Sequence, residues 1–75
     1  MINVSSSTDM NDPSNWMDGD ILMCVEPRNG VSQGKLYTMV GYKFFKNYIE
    51  IRQDDHGRQG SYKQERFRFH SRPSN

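Results

Sequence analysis

A small all-β fold is what this sequence predicts: five short antiparallel strands wrapped as a barrel behind an N-terminal arm. Three observations predict it. The apolar residues come in short runs bounded by Gly, Pro, Asn and Asp. The segment Tyr48-Ile49-Glu50-Ile51-Arg52 alternates with the two-residue period of a strand. No stretch makes a convincing amphipathic helix. One long first loop and one tight later hairpin between such strands fit a small antiparallel barrel or sandwich.

Residues 1–15 are polar, with Ile2, Val4 and Met10 as isolated apolar positions, so a flexible arm is expected there. One helical turn interrupts it, because Asp12 is a good N-cap and Pro13 suits a first helical position. That turn would carry Trp16 and Met17 onto the barrel. Gly19-Asp20 reads as the turn into a first strand, Ile21 to Val25, whose consecutive apolar residues imply cover on both faces.

The loop EPRNGVSQG, residues 26–34, follows with Pro27, Asn29-Gly30 and Gly34 as breakers. The second strand, Lys35 to Tyr42, opens the stretch GKLYTMVGYKFFKNY, which holds most of the aromatic and apolar weight of the chain. Lys43 to Lys46 form a short connection, and Asn47 to Gln53 make the third strand, with Ile49 and Ile51 facing the core. Asp54-Asp55-His56-Gly57 signals a tight hairpin, with Gly57 supplying positive φ. A fourth strand from Gln59 to Lys63, a 3₁₀ turn at Gln64–Arg66 and a last strand from Phe67 to His70 complete the fold. The expected organisation is a flexible arm over 1–15, a barrel over 16–70 and a disordered tail over 71–75.

With 75 residues, of which a third are hydrophobic and 12% aromatic, the chain can build one small core in which large rings do much of the filling. Cys24 is the only cysteine and lies in the apolar run ILMCV, so disulfide stapling is excluded and a reducing, cytoplasmic setting is expected. No apolar run approaches the roughly 18 residues that span a bilayer, and MINVSSSTDMNDPSNW lacks the pattern of a signal peptide, so no membrane role is expected. The net charge of +1 conceals an asymmetry: residues 1–34 carry one arginine against five carboxylates, and residues 35–75 carry nine Lys and Arg against four. The halves can attract each other while one face stays basic.

The order Gly19-Asp20 before an apolar strand, Gly34-Lys35-x-Tyr37-x-Met39, Tyr48-Ile49-x-Ile51, Asp55-x-Gly57, Tyr62 and Arg66-Phe67 resembles small Src-homology-3-like barrels encoded by bacteriophages, over roughly residues 19 to 69. The resemblance implies a five-stranded, non-catalytic barrel from a phage genome, of a kind that often serves as an accessory factor binding a host macromolecule. One departure is informative. The positions matching Leu22, Cys24, Tyr37 and Met39 point inward in that pattern, and their alternates are commonly polar, whereas here they are Ile21, Met23, Leu36 and Val40. Two adjacent strands would then carry an apolar outer face. Covering one such side chain is worth about 1.5–3 kcal/mol, so a cover is expected: Trp16, Met17 and Met10 of the arm, a second copy in a homodimer, or a host partner.

The function that follows is a non-enzymatic binding protein that engages a host bacterial protein and inhibits or redirects it. The expected contacts are Phe44, Phe45 and Tyr48, the face made by Ile21, Met23, Leu36 and Val40, and Arg66 and Arg68 at the rim. The structural alternative for Phe44 or Phe45 is a plug in the end of the barrel. The competing function is a nucleic-acid-binding module in which Lys43, Lys46, Arg52, Arg66 and Arg68 contact phosphates while Phe44 and Tyr48 stack on bases. Its counter-reading is a solvated edge strand blunted by Arg66, Arg68 and His70. Catalysis finds little support, because Asp54-Asp55-His56 falls at a hairpin tip and not in a pocket that could separate two carboxyl pKa values. His56 and His70 are too few and too isolated for a metal, and neither a cofactor nor a phosphate-cradling glycine loop is implied.

Overall fold

The computed structural model describes residues 9–42 and 47–73. Five strands, β1 (Ile21–Cys24), β2 (Leu36–Tyr42), β3 (Tyr48–Ile51), β4 (Gly60–Lys63) and β5 (Phe67–Ser71), form one antiparallel sheet in the order β4-β3-β2-β1-β5. The chain meanders from β1 to β4, makes a 3₁₀ turn at Gln64–Arg66 and returns β5 to the far side of β1. The strands β4 and β5 are the two edges and do not pair with each other.

Register follows from which side chains must be inside. Leu22 lies opposite Tyr37 on β2 and Phe69 on β5, Cys24 opposite Phe67, and Met39 opposite Ile51. Each strand alternates, so Leu22, Cys24, Tyr37, Met39, Ile49, Ile51 and Phe67 fall on one face and are buried; Ile49 and Ile51 are where the alternation in the sequence predicts them. Tyr37 and Tyr62 both meet Phe67 edge to face, with ring centroids 6.1 and 6.3 Å apart.

The turn expected in the arm is present. Asp12 caps a 3₁₀ turn at Pro13–Asn15, accepting bonds from both the backbone and the hydroxyl of Ser14, and Asp9 accepts from the Asn11 amide. Residues 9–15 are thus hydrogen-bonded turns, with the expected turn after Asp12 among them. This turn aims Trp16 into the core, where it is 5% exposed and donates its indole N–H to the Met10 carbonyl at 2.9 Å. Met17 does not follow: it stays 54% exposed, because alternation at the next residue turns it away from the cluster that Trp16 joins.

At the other end, Ser71 belongs to β5, and Arg72 is held by Asp20 and by the Asn15 carbonyl. Val31, placed by its sequence in an open loop, is 1% exposed and bridges to Arg28, so the loop after β1 contributes to the core.

Candidate docking face

Two surfaces concentrate the chemistry of this sheet. The first is the junction between the loop 26–34 and the hairpin after β3. Asp55 accepts bonds from Lys35 Nζ (2.8 Å), the Ser32 hydroxyl (2.7 Å) and the Tyr37 hydroxyl (2.8 Å), while its own amide donates to the Gly30 carbonyl. These donors, Lys35 first, hold its carboxyl well below the ordinary value, at about 2. Asp54 accepts from the amides of Arg58 and His56 and from the Tyr62 hydroxyl, and its carboxyl is likewise lowered, chiefly by the Arg58 amide.

Asp55 thus holds the hairpin against the first loop, Asp54 braces the hairpin on itself and on β4, and the acceptor oxygens of both are engaged. The hairpin signal read from Asp54 to Gly57 is present, with Gly57 at φ +79°. The sequence does not announce that Asp55 is also the cross-link to the first loop. Its signal would have been a second carboxylate where a hairpin needs only one. Among the described residues, no three His, Cys, Asp or Glu side chains are grouped to hold a metal ion.

The second surface is the opposite side of the sheet. Ile21 and Met23 of β1 and Leu36 and Val40 of β2 alternate with the buried residues and share the outer face. Met23 pairs with Leu36 on one side and with Arg68 on the other, and Ile21 pairs with Thr38. Leu36 is 44% exposed, whereas the other three are partly covered. The expected lid is not there among the described residues: Met10 and Trp16 pack with the inward cluster of Leu22, Tyr37 and Phe67, and Met17 lies in solvent. That corrects the idea that the arm's described residues fold over this face. Trp16 instead joins the buried cluster on the other side of the sheet.

The remaining predicted contact residues separate. Tyr48 is partly buried and stands opposite Lys63 on the β3–β4 ladder. Arg68 is exposed beside Met23, and Arg52, exposed just past β3, donates its amide to the Thr38 carbonyl. Arg66 is partly buried: its guanidinium lies 3.8 Å from the Glu26 carboxylate and donates to the Glu26 carbonyl at 3.3 Å, so its charge is already paired within the fold. Phe44, Phe45, Lys43 and Lys46 lie outside the described residues.

A shallow groove of about 400 Å³ that the sequence did not suggest runs between Pro13 and Trp16 of the arm and Gln64, Glu65 and Arg68. Among the described residues no helix is long and apolar enough to cross a membrane. In comparisons with protein-family models, with curated proteins and with solved structures, nothing matches this chain.

Proposed function

We propose that this chain is a non-enzymatic protein-binding module and that its contact surface is the outer face of β1 and β2. One observation carries the reading: Leu36 is 44% exposed on a central strand, next to Met23 in register, while the arm's tryptophan serves the other face. Central strands of a small sheet have little reason to expose aliphatic residues unless something else covers them.

The strand order, the 3₁₀ turn between β4 and β5 and the return of β5 to β1 support the small Src-homology-3-like barrel as the form of the sheet. The likeness of the motifs to phage-encoded barrels supplies the class of partner: a cytoplasmic protein of the bacterial host, inhibited or redirected by the contact. Engagement of Asp55 between two loops and of Asp54 within its own hairpin favours a binding role over acid–base work. The nucleic-acid alternative has less behind it, because Arg66 is tied to Glu26 and aliphatic side chains, which offer no stacking surface, occupy the centre of the face.

The test is capture from bacterial lysate by immobilised wild-type protein and by Leu36→Glu, the variant first shown by thermal melting to be folded. Proteins retained by the wild type and lost by the variant are expected. Identical retention by both would overturn the assignment of this face.

A further inference from the structure

We propose that the occupant of this face is an acidic amphipathic helix of a partner protein, an apolar stripe flanked by carboxylates; the inference rests on the docking reading above and names the chemistry of its partner. The apolar residues are framed by cations. One row across the sheet runs Arg52, Thr38, Ile21, Ser71, and the next runs Leu36, Met23, Arg68. Arg52 and Arg68 thus stand at opposite corners of the patch, both exposed, and neither is in an ion pair among the described residues. Glu50, the one described carboxylate on the outer side of the strands, already has an interaction of its own.

The dimensions suit a helix. From β3 to β5 is three strand spacings of about 4.8 Å, roughly 14 Å, and a helix with its side chains is about 10–12 Å wide. A helix laid along β1 and β2 would cover Ile21, Met23, Leu36 and Val40 and bring its flanks over Arg52 on one side and Arg68 on the other. The run from Leu36 to Val40 is about 13 Å long, which two to three helical turns span.

Other occupants fit less well. A second copy docked face to face would set cation against cation, since Arg52, Arg68 and Lys63 all lie on the outer side. A nucleic acid would require rings or cations at the centre, where aliphatic side chains stand.

Three labelled peptides of about fifteen residues, sharing one leucine stripe at helical spacing and differing only in glutamate, glutamine or lysine flanks, test this by fluorescence anisotropy against the full chain. The glutamate peptide should bind at least tenfold tighter than the lysine peptide and weaken as salt rises. The double variant Arg52→Glu/Arg68→Glu, reversing two exposed charges, should invert that order, and Leu36→Ser should lose all three.

Equal binding of the three peptides, lost in Leu36→Ser, would overturn the acidic partner while leaving the docking face in place. Binding of none would overturn the helical occupant, and the lysate capture then decides the face independently. Tighter binding of an oligonucleotide, of an anionic phosphatidylglycerol vesicle or of a second copy in sedimentation, lost in the same double variant, would overturn the proposal in favour of that ligand.

Discussion

Arg72 donates Nε to Asp20 Oδ1 at 2.7 Å and Nη2 to Asp20 Oδ2 at 2.8 Å, a two-pronged pair joining the end of β5 to the turn that opens β1. Asp20 is 1% exposed. Burial by itself would raise its carboxyl pKa, but the Arg72 bonds, the Met17 amide and the Arg72 charge outweigh burial and hold it below the ordinary value. Fifty-two positions apart in the chain, the two residues lock together its first turn and its last strand.

Removing the arginine should therefore hurt in a pH-dependent way. In the wild type the lowered Asp20 pKa contributes stability that is complete above the ordinary carboxyl value and is lost as pH falls from there through the lowered folded value. In Arg72→Ala burial remains without its counterweight, so the carboxyl shifts upward and the buried charge opposes folding at neutral pH. The urea midpoint of Arg72→Ala should fall well below that of the wild type near pH 7, and the gap should narrow in acid, as the Asp20 carboxyl of the variant takes up a proton. A gap independent of pH would show that the arginine acts through packing alone.

Asp55 makes a second prediction of the same sign. Its carboxyl is lowered from 3.8 to about 2 by Lys35 first, then by the Ser32 and Tyr37 hydroxyls. The stability it contributes is complete above the unfolded value and disappears as pH falls from there toward about 2. Asp55→Asn should lower the melting temperature at neutral pH and flatten the acid limb of the stability curve. The limb should persist in part, since Asp12, Asp20 and Asp54 are lowered as well. An unchanged acid limb would remove Asp55 from the contacts that hold the first loop.

Gly30 shows why that loop needs a glycine at one position. Its φ is +107°, and a Cβ there would collide with the Tyr62 hydroxyl. Gly34, at φ +83°, has open space around the same direction. Both Gly→Ala changes impose backbone strain of order 1 kcal/mol, but only Gly30→Ala must also displace a ring. Chemical denaturation should rank Gly30→Ala below Gly34→Ala, and adding Tyr62→Phe to Gly30→Ala should restore part of the loss. Equal destabilisation would mean that Tyr62 moves aside without cost.

Much of this arrangement is legible in the residues, and what is not has a common cause. Alternation predicts Ile49 and Ile51 inside and Asp12-Pro13 predicts the first 3₁₀ turn, because both signals are local, whereas Leu22, Cys24, Tyr37 and Met39 are expected inside only from the resemblance of their motifs. Val31 in the core, Asp55 on Lys35 and Asp20 on Arg72 were missed, because each depends on loops or termini far apart in the chain meeting only once the sheet has formed. Met17 was misplaced because one turn can aim only one of two consecutive side chains inward, and the larger ring took the place. The outer apolar face is expected from the inward positions that the resemblance implies; what covers it is not, since Trp16 could serve either side.

The division between the two faces can be read directly from a pair of residues on one strand. Met39 is fully buried opposite Ile51, and its truncation to Ala should cost about 2–5 kcal/mol through lost transfer energy and the cavity left behind. Leu36, three residues earlier on β2 and 44% exposed, should cost less than about 1 kcal/mol on truncation, since much of its surface already meets water. Equilibrium urea unfolding of Met39→Ala and Leu36→Ala measures both. If Leu36→Ala instead destabilises as much as Met39→Ala, its side chain is part of the protein's own packing, and an aliphatic face kept for another molecule loses its most exposed member.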